Sequence, residues 1–239
     1  MALLERASQP ADDGSPSSGP IEAHAAIALA RYCMELGRYD AGLHAAGRAV
    51  DLSQRAPPPA ASQAVLLQEL LRDHAGQTLR TDRIRAVADP LVESGSWSDA
   101  HLAHDTLARC AGDDIVGCRR HTAIAIGCAE AAGNYVLSSA ALQRLAQQEV
   151  AHGDPKLALR NIEQALYRAQ SVLLNGARLC EAHCLETAGD AHLALQERDQ
   201  AIAQYKDAAS RFTRLSCSSH ASRVQAKLDA LTAAQPLQP

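Results

Sequence analysis

The most constraining feature of this chain is an unbroken series of helix-like segments separated by short breaks. From residue 21 to residue 233, apolar residues recur with the spacing of one helical face, and period-2 alternation never extends beyond a few residues. This pattern predicts ten or eleven helices of 14–20 residues and argues against a sheet. The predicted spans are 21–37, 39–55, 60–75, 80–94, 97–111, 115–132, 136–152, 155–173, 177–196, 199–214 and 218–233.

The breaks carry residues that end and begin helices. Gly37, Gly95, Gly133 and Gly153 each follow an apolar-periodic run, as helix-terminating glycines do. Asp154-Pro155 places an N-cap before a proline at the first helical position.

Two other breaks are less regular. Residues 57–59 are three consecutive prolines, which we expect to end one helix and stiffen the next connection. Within the element at 60–94, Gly76 leaves open whether one helix or two are present.

These segments divide the chain into three parts. Residues 1–20 are rich in Pro, Gly, Ser and Asp, so we predict a disordered leader. Residues 21–232 form the helical domain, and residues 233–239 form a flexible tail. Because the predicted loops are short, neighbouring helices must lie antiparallel. The predicted fold is all-α, a solenoid of about 10–11 antiparallel helices.

Composition supports closely packed helices and argues against several functions. Hydrophobic residues make up 47% of the chain but aromatic residues only 3%, so Ala and Leu must fill the core. Net charge is −4, and lysine occurs only at Lys156, Lys206 and Lys227. Without a dense basic stretch or an aromatic platform for base stacking, nucleic-acid binding is disfavoured.

The cysteines and the N-terminus predict a cytoplasmic protein. Seven cysteines, an odd number scattered along helices, are typical of reduced thiols. The first residues lack a basic region followed by an apolar stretch, so no signal peptide is expected. No apolar run approaches the roughly 20 residues that span a bilayer, so we expect no membrane association.

A recurring turn connects several of these helices. In 35–43, 93–101 and 152–159, a helix end is followed by a glycine, polar residues, a ring residue and a small residue early in the next helix. This turn resembles that of the tetratricopeptide-repeat (TPR) family, and the resemblance covers roughly residues 21–215. The last unit matches best, with Gly189 at its tightest inter-helix position facing the Ala201 helix.

The sequence also departs from the family pattern. The early small residues at 42, 100, 158 and 201 are 58, 58 and 43 residues apart, whereas the family repeat has 34. One frame therefore pairs the helix at 80–94 with the helix at 97–111. A competing frame pairs 115–132 with 136–152, and the sequence leaves both open.

The resemblance also implies where a partner would bind. The inner face of such a solenoid is lined by the first helix of each pair. The corresponding positions here are Ile27, Arg31, Arg85, Asp89, Gln143, Gln147, Glu186 and Asp190. This mixed lining lacks the Lys and Asn set that clamps a C-terminal carboxylate in the family, so a chaperone-tail ligand is not expected. A polar segment or a neighbouring domain suits it, and ordinary exposed helix residues are an equal alternative.

The motifs of common catalytic and cofactor sites do not occur. There is no G-x-G-x-x-G, H-E-x-x-H, C-x-x-C or G-x-S-x-G, so no cofactor, catalytic residue or metal is predicted. Cys180, His183 and Cys184 share a helix face, but structural zinc sites favour short loops, so core packing is the preferred interpretation. The same holds for His101 and His104. The cluster at 119–121 is interpreted as a solvated basic face.

Three classes of function can be compared on this sequence. The first is a non-catalytic interaction or regulatory module that binds a partner protein, a peptide or a signalling domain. The alternative is a homo-oligomeric scaffold or sensor domain of a bacterial signalling protein, of the diguanylate cyclase or transcription-factor type, with a homodimer through the inner face. The Ala-, Arg- and Leu-rich, Lys-poor composition is typical of a GC-rich bacterial genome. An enzyme is disfavoured because the side-chain constellations of active sites are missing.

Overall fold

The computed structural model of the chain describes residues 19–54, 58–172 and 175–233, and these residues contain eleven α-helices and no strand. The predicted all-α fold is therefore confirmed. In chain order the helices are α1 (Gly19–Glu35), α2 (Tyr39–Ser53), α3 (Pro58–His74), α4 (Thr81–Glu93), α5 (Trp97–Arg109), α6 (Ile115–Ala131), α7 (Tyr135–Ala151), α8 (Pro155–Gln170), α9 (Asn175–Ala194), α10 (Arg198–Arg214) and α11 (Ser218–Ala233).

Glycines end the helices as predicted. After α1, Gly37 adopts a φ of +67°, and the backbone N–H of Arg38 donates to the carbonyl of Cys33 at 2.8 Å. This bond satisfies a carbonyl that the ended helix leaves without a partner. Gly76, with a φ of +71°, ends α3 in the same way, so the element predicted at 60–94 is two helices.

The start of α8 agrees with the prediction from the sequence, whereas the start of α3 differs from it. Asp154 caps α8, because its side chain accepts a hydrogen bond from the backbone N–H of Leu157 at 3.3 Å and Pro155 follows it. The proline run was predicted to stiffen a connection, but α3 begins at Pro58. Proline is accepted there because the first N–H groups of a helix have no intrahelical partner. Pro57 and most of the predicted leader and tail lie outside the described residues.

The described residues divide into two compact units, with the boundary between residues 110 and 111. In the first unit, α1 packs on α2 and on α3, and α3 packs on α4 and on α5. Alanines fill much of this core, including the fully buried Ala26, Ala30 and Ala46. A Cβ on Gly42 of α2 would lie 2.8 Å from Cδ2 of Leu71, so the absence of a side chain permits this close approach.

The packing of α3 corrects the helix pairing predicted for this unit. Helix α3 contacts both α1 and α5, so in this unit direct contacts join alternate helices of the chain, as expected for first helices. The helix at 81–93 is thus the second helix of its pair, and its interpretation as a first helix is wrong. The first helices begin at residues 19, 58 and 97, at intervals of 39 residues.

The second unit contains α6 to α11, and two of its predicted pairs are present. Helix α7 packs on α8, and α9 packs on α10, while α7 and α9 also contact each other directly. The final helix α11 covers α10, burying Val224 and Leu228 against Tyr205 and Phe212. The first helices therefore lie on one side of this unit, and the second helices α8 and α10 lie behind them.

Buried carboxylates fix neighbouring helices in both units. Glu69 of α3 is fully buried, and Arg80 Nη2 and Arg83 Nη1 each lie 2.7 Å from its Oε1. Glu149 of α7 is equally buried and is held by Arg119 of α6 through bonds of 2.7 and 2.6 Å. Arg119 was predicted to belong to a solvated basic face, but it spans two helices because the Glu149 charge needs a counter-charge.

None of the helices in the described ranges is long and apolar enough to cross a membrane.

Candidate functional site

The first helices of the second unit enclose a groove with a volume of about 550 Å³. This size lies within the roughly 300–1,000 Å³ of typical ligand pockets. Helices α7, α9 and α11 contribute all of its lining residues: Val136, Ala140, Gln143, Arg144, Gln147, Gly176, Leu179, Cys180, His183, Glu186, Asp190, Arg223 and Lys227.

One end of the groove is apolar. Val136 and Ala140 come from the first half of α7, and Gly176 and Leu179 come from the start of α9. A Cβ on Gly176 would lie 3.5 Å from Cγ1 of Val136, an ordinary contact distance, so the two helix starts are near neighbours. Val136 and Leu179 are half-buried, so this end offers apolar surface to a bound side chain.

The other end is built on two carboxylates of α9 that bind cations of α11. Arg223 donates to both oxygens of Glu186, at 3.0 and 2.6 Å, and Lys227 Nζ lies 3.1 Å from Glu186 Oε1. Burial raises the pKa of Glu186, but the bond from Arg223 and the charge of Lys227 outweigh it, and the net pKa is lowered. The carboxylate is therefore ionised and fixes both cations at the groove wall.

The second carboxylate connects the groove to the core behind it. Asp190 accepts a hydrogen bond of 2.6 Å from the hydroxyl of Tyr205 and two bonds of 2.8 and 2.9 Å from Lys227. Burial and the bond to Asp190 raise the pKa of Tyr205, so its hydroxyl stays protonated and donates. The polar end of the groove is thus preorganised by α10 and by α11.

Cys180 lies in the groove wall beside a second cysteine. Its Sγ lies 3.1 Å from Ser139 Oγ, and the Ser139 hydroxyl is also 2.8 Å from the carbonyl oxygen of Ala165. A hydrogen bond with Cys184, the bond with Ser139 and the charge of Arg144 lower the pKa of Cys180 to about 7, although burial opposes them. The same bond and burial raise the pKa of Cys184. All seven cysteines are free thiols, as predicted.

The histidines discussed in the sequence analysis lie in packed surroundings. Among the described residues there is no group of three or more His, Cys, Asp or Glu side chains that could hold a metal ion. His183 instead makes edge-to-face contacts with Phe212 and His220, at centroid distances of 4.9 and 5.0 Å. His101 and His104 are buried, with 1% and 2% of their surface exposed.

The structure brings together four of the eight sequence-predicted site residues. Gln143, Gln147, Glu186 and Asp190 all line the groove of the second unit. Gln147 is exposed, whereas Gln143 is buried and donates to Thr187 Oγ1 at 2.9 Å. Gln147 is therefore the residue of this set that is most accessible to a bound segment.

The four predicted residues of the first unit lie in different surroundings. Ile27 is only 5% exposed and belongs to the core, so its placement on an accessible inner face is wrong. Arg31 donates to Asp99 at 2.6 Å. Arg85 and Asp89 are exposed on α4, which contacts α3 and α5, and their role in binding stays a prediction.

The final helix contributes to the groove in a way that was not predicted from the sequence. Residues 218–233 were predicted only as a helix, yet Arg223 and Lys227 lie one turn apart on it and close the polar end of the groove. Their spacing of four residues on one face is a signal for a shared target. Arg144 and His183 were likewise not predicted as lining residues.

Comparison with known proteins supports the fold class. No family model and no curated protein matches the chain. Among solved structures, 25 chains match. One is BtubC (BKLC) from P. vanneervenii, which is 15% identical to this chain with a TM-score of 0.68, over 100% of this chain and 92% of that chain. At this level of identity, the likeness shows the all-α fold alone.

Proposed function

We propose that this chain is a non-catalytic interaction module of the TPR-like type and that the groove of α7, α9 and α11 binds a segment of a partner protein. The observation that carries the proposal is the groove itself, which combines an apolar end with a fixed polar end. Such a combination suits an extended or helical segment with an apolar side chain at one end and polar groups at the other.

The internal ion pairs favour binding over chemistry as the role of this site. Glu186 is bound by Arg223 and Lys227, and Asp190 is bound by Lys227 and by the hydroxyl of Tyr205. Neither carboxylate is therefore free to act as a general acid or base. Rigid side chains lose little conformational entropy when a partner binds, which raises affinity.

The experiment compares partner capture by matched variants of the full chain. Leu179→Glu puts a charge at the apolar end of the groove, and we expect it to abolish capture of the partners that the unaltered chain retains from its host. Tyr167→Glu, on α8 with a side chain 77% exposed, introduces the same charge outside the lining and should leave capture intact. Equal capture by the unaltered chain and by Leu179→Glu would refute a binding role for the groove.

A further inference from the structure

Three arginines converge on a second, smaller cleft that is separate from the groove. Arg178 lies in the first turns of α9, and Arg211 and Arg214 lie in the last turn of α10. Because α9 and α10 pack antiparallel, the start of one helix lies beside the end of the other. Together with Leu215, the three arginines line a cleft of about 270 Å³.

The acidic groups near this cleft are engaged by one arginine only. Arg211 pairs with Glu181 and, at 3.4 Å, with Asp207. In the part of the chain that the structure describes, no carboxylate lies within ion-pair distance of Arg178 or Arg214, and both residues are exposed. The guanidinium groups of Arg178 and Arg214 are therefore available to an outside ligand. The three arginines of the cleft and the two carboxylates near it together carry one net positive charge.

The chemistry of the cleft selects a class of ligand. A guanidinium is planar, always charged, and presents paired N–H donors that match the oxygens of a phosphoryl group. The volume of about 270 Å³ falls just below the roughly 300 Å³ of the smallest drug-sized pockets, so the cleft suits a small group better than a whole ligand. A phosphoryl dianion has three terminal oxygens and a carboxylate has two, so the phosphoryl group offers more acceptors and more negative charge to several converging arginines.

We propose that the cleft of Arg178, Arg211 and Arg214 is a phosphoryl-binding site. The phosphoryl group is either free phosphate or the phosphate of a phosphorylated side chain, since both present the same oxygens. The proposal is independent of the groove, because the two sets of lining residues share no member.

Titration calorimetry of the full chain with inorganic phosphate tests the site, at pH 7.5 and at constant ionic strength maintained with sodium chloride. We expect Arg178→Gln and Arg214→Gln each to raise the dissociation constant about tenfold, a change of about 1.4 kcal/mol. Arg160→Gln removes the same charge from an exposed position on α8 and should leave the constant unchanged. Because Arg160, Arg178 and Arg214 are all exposed, these variants should fold, which circular dichroism checks.

A second titration distinguishes free phosphate from a phosphorylated side chain as the source of the phosphoryl group. A phosphoserine peptide and the same peptide without phosphate are each titrated into the unaltered chain and into Arg214→Gln. Phosphate-dependent binding that weakens in Arg214→Gln would assign the site to a phosphorylated side chain. Binding of free phosphate without binding of the phosphopeptide would assign it to the free anion. Absence of both, or equal weakening in Arg160→Gln, would overturn the proposal.

Discussion

A Cβ atom on Gly189 would lie 2.5 Å from Cε1 of Tyr205, closer than side chains in folded proteins approach. Gly189 was predicted to face the helix that contains Ala201, and Tyr205 lies one turn further along that helix. The Tyr205 ring is buried and its hydroxyl is bound to Asp190, so the ring cannot easily move away. The close approach of α9 and α10 therefore depends on the absence of a side chain at this position.

Gly189→Ala should consequently destabilise the protein. In an open helix this change is favourable by roughly 1 kcal/mol, but here the added methyl group displaces the Tyr205 ring. We expect a net loss of about 1–3 kcal/mol in the free energy of unfolding, and more for Gly189→Leu. Urea denaturation followed by circular dichroism measures it.

Gly127→Ala is the matched control for this prediction. Gly127 also lies inside a helix, but nothing lies within 4 Å of the position its Cβ would take, so the change should stabilise by up to about 1 kcal/mol. Gln196 would be a poor control because its φ is +64°, a conformation in which most substitutions are strained. If both glycine variants change stability alike, the packing of α9 on α10 is not as described.

Replacing Glu69 with alanine should loosen α4. The variant leaves Arg80 and Arg83 without the buried carboxylate that holds them near α3. Loss of one partner of a fully buried pair costs roughly 3–5 kcal/mol, but these arginines are partly exposed, so we expect about 1–3 kcal/mol. The denaturation midpoint of Glu69→Ala should fall well below that of Glu93→Ala, an exposed control at the end of α4. Equal midpoints would contradict a structural role for Glu69.

Stability should decrease as the pH falls below about 6.5, the ordinary pKa of histidine. Burial lowers the pKa of His183, His220 and Arg223 lower it further, and Glu186 opposes them. The folded protein therefore binds fewer protons at His183 than the unfolded chain does. The stabilisation by neutral His183 is complete above the unfolded-state pKa and is lost as pH falls from there towards the lowered folded-state pKa.

Thermal unfolding between pH 7.5 and 5.5 tests the role of His183. The His183→Gln variant should lose less stability over this range than the unaltered protein. His44→Gln, at an exposed position on α2, should retain the full pH dependence. An unchanged pH dependence in His183→Gln would exclude His183 as the titrating group.

The thiols are predicted to be reduced and free of zinc. Seven thiols should react with a disulfide reagent under denaturing conditions, and elemental analysis should find no stoichiometric metal. In the folded protein, Cys180 should react faster than Cys184, because its pKa is lowered to about 7 whereas the pKa of Cys184 is raised. One zinc per chain, lost in Cys180→Ser, would overturn this prediction.

Local signals in the sequence predicted the helices well, but long-range packing was only partly accessible. Glycines, N-caps and apolar periodicity act within one turn, so helix boundaries agree with the structure to within about three residues, in keeping with the uncertainty of helix ends. The turn at Gly95 resembles that at Gly37, yet one joins α4 to α5 and the other joins α1 to α2. Nothing local distinguishes a turn within a pair from a turn between pairs.

The same limit explains which residues of the groove could be predicted from the sequence and which could not. Gln143, Gln147, Glu186 and Asp190 could be placed on one face because helical periodicity fixes the direction of each side chain. Which helix lies beside them depends on contacts between residues about 37 positions apart, such as that of Arg223 with Glu186, and no local pattern encodes such contacts.

Site-specific photocrosslinking tests the groove most directly. A photoreactive amino acid at Gln147, exposed in the groove, should crosslink to a partner protein in the native host. The same amino acid at Gln164, exposed on α8 and outside the lining, should not. Leu179→Glu should abolish the Gln147 crosslink. Crosslinks of equal yield at both positions, or a Gln147 crosslink that survives Leu179→Glu, would contradict the binding of a partner segment in this groove.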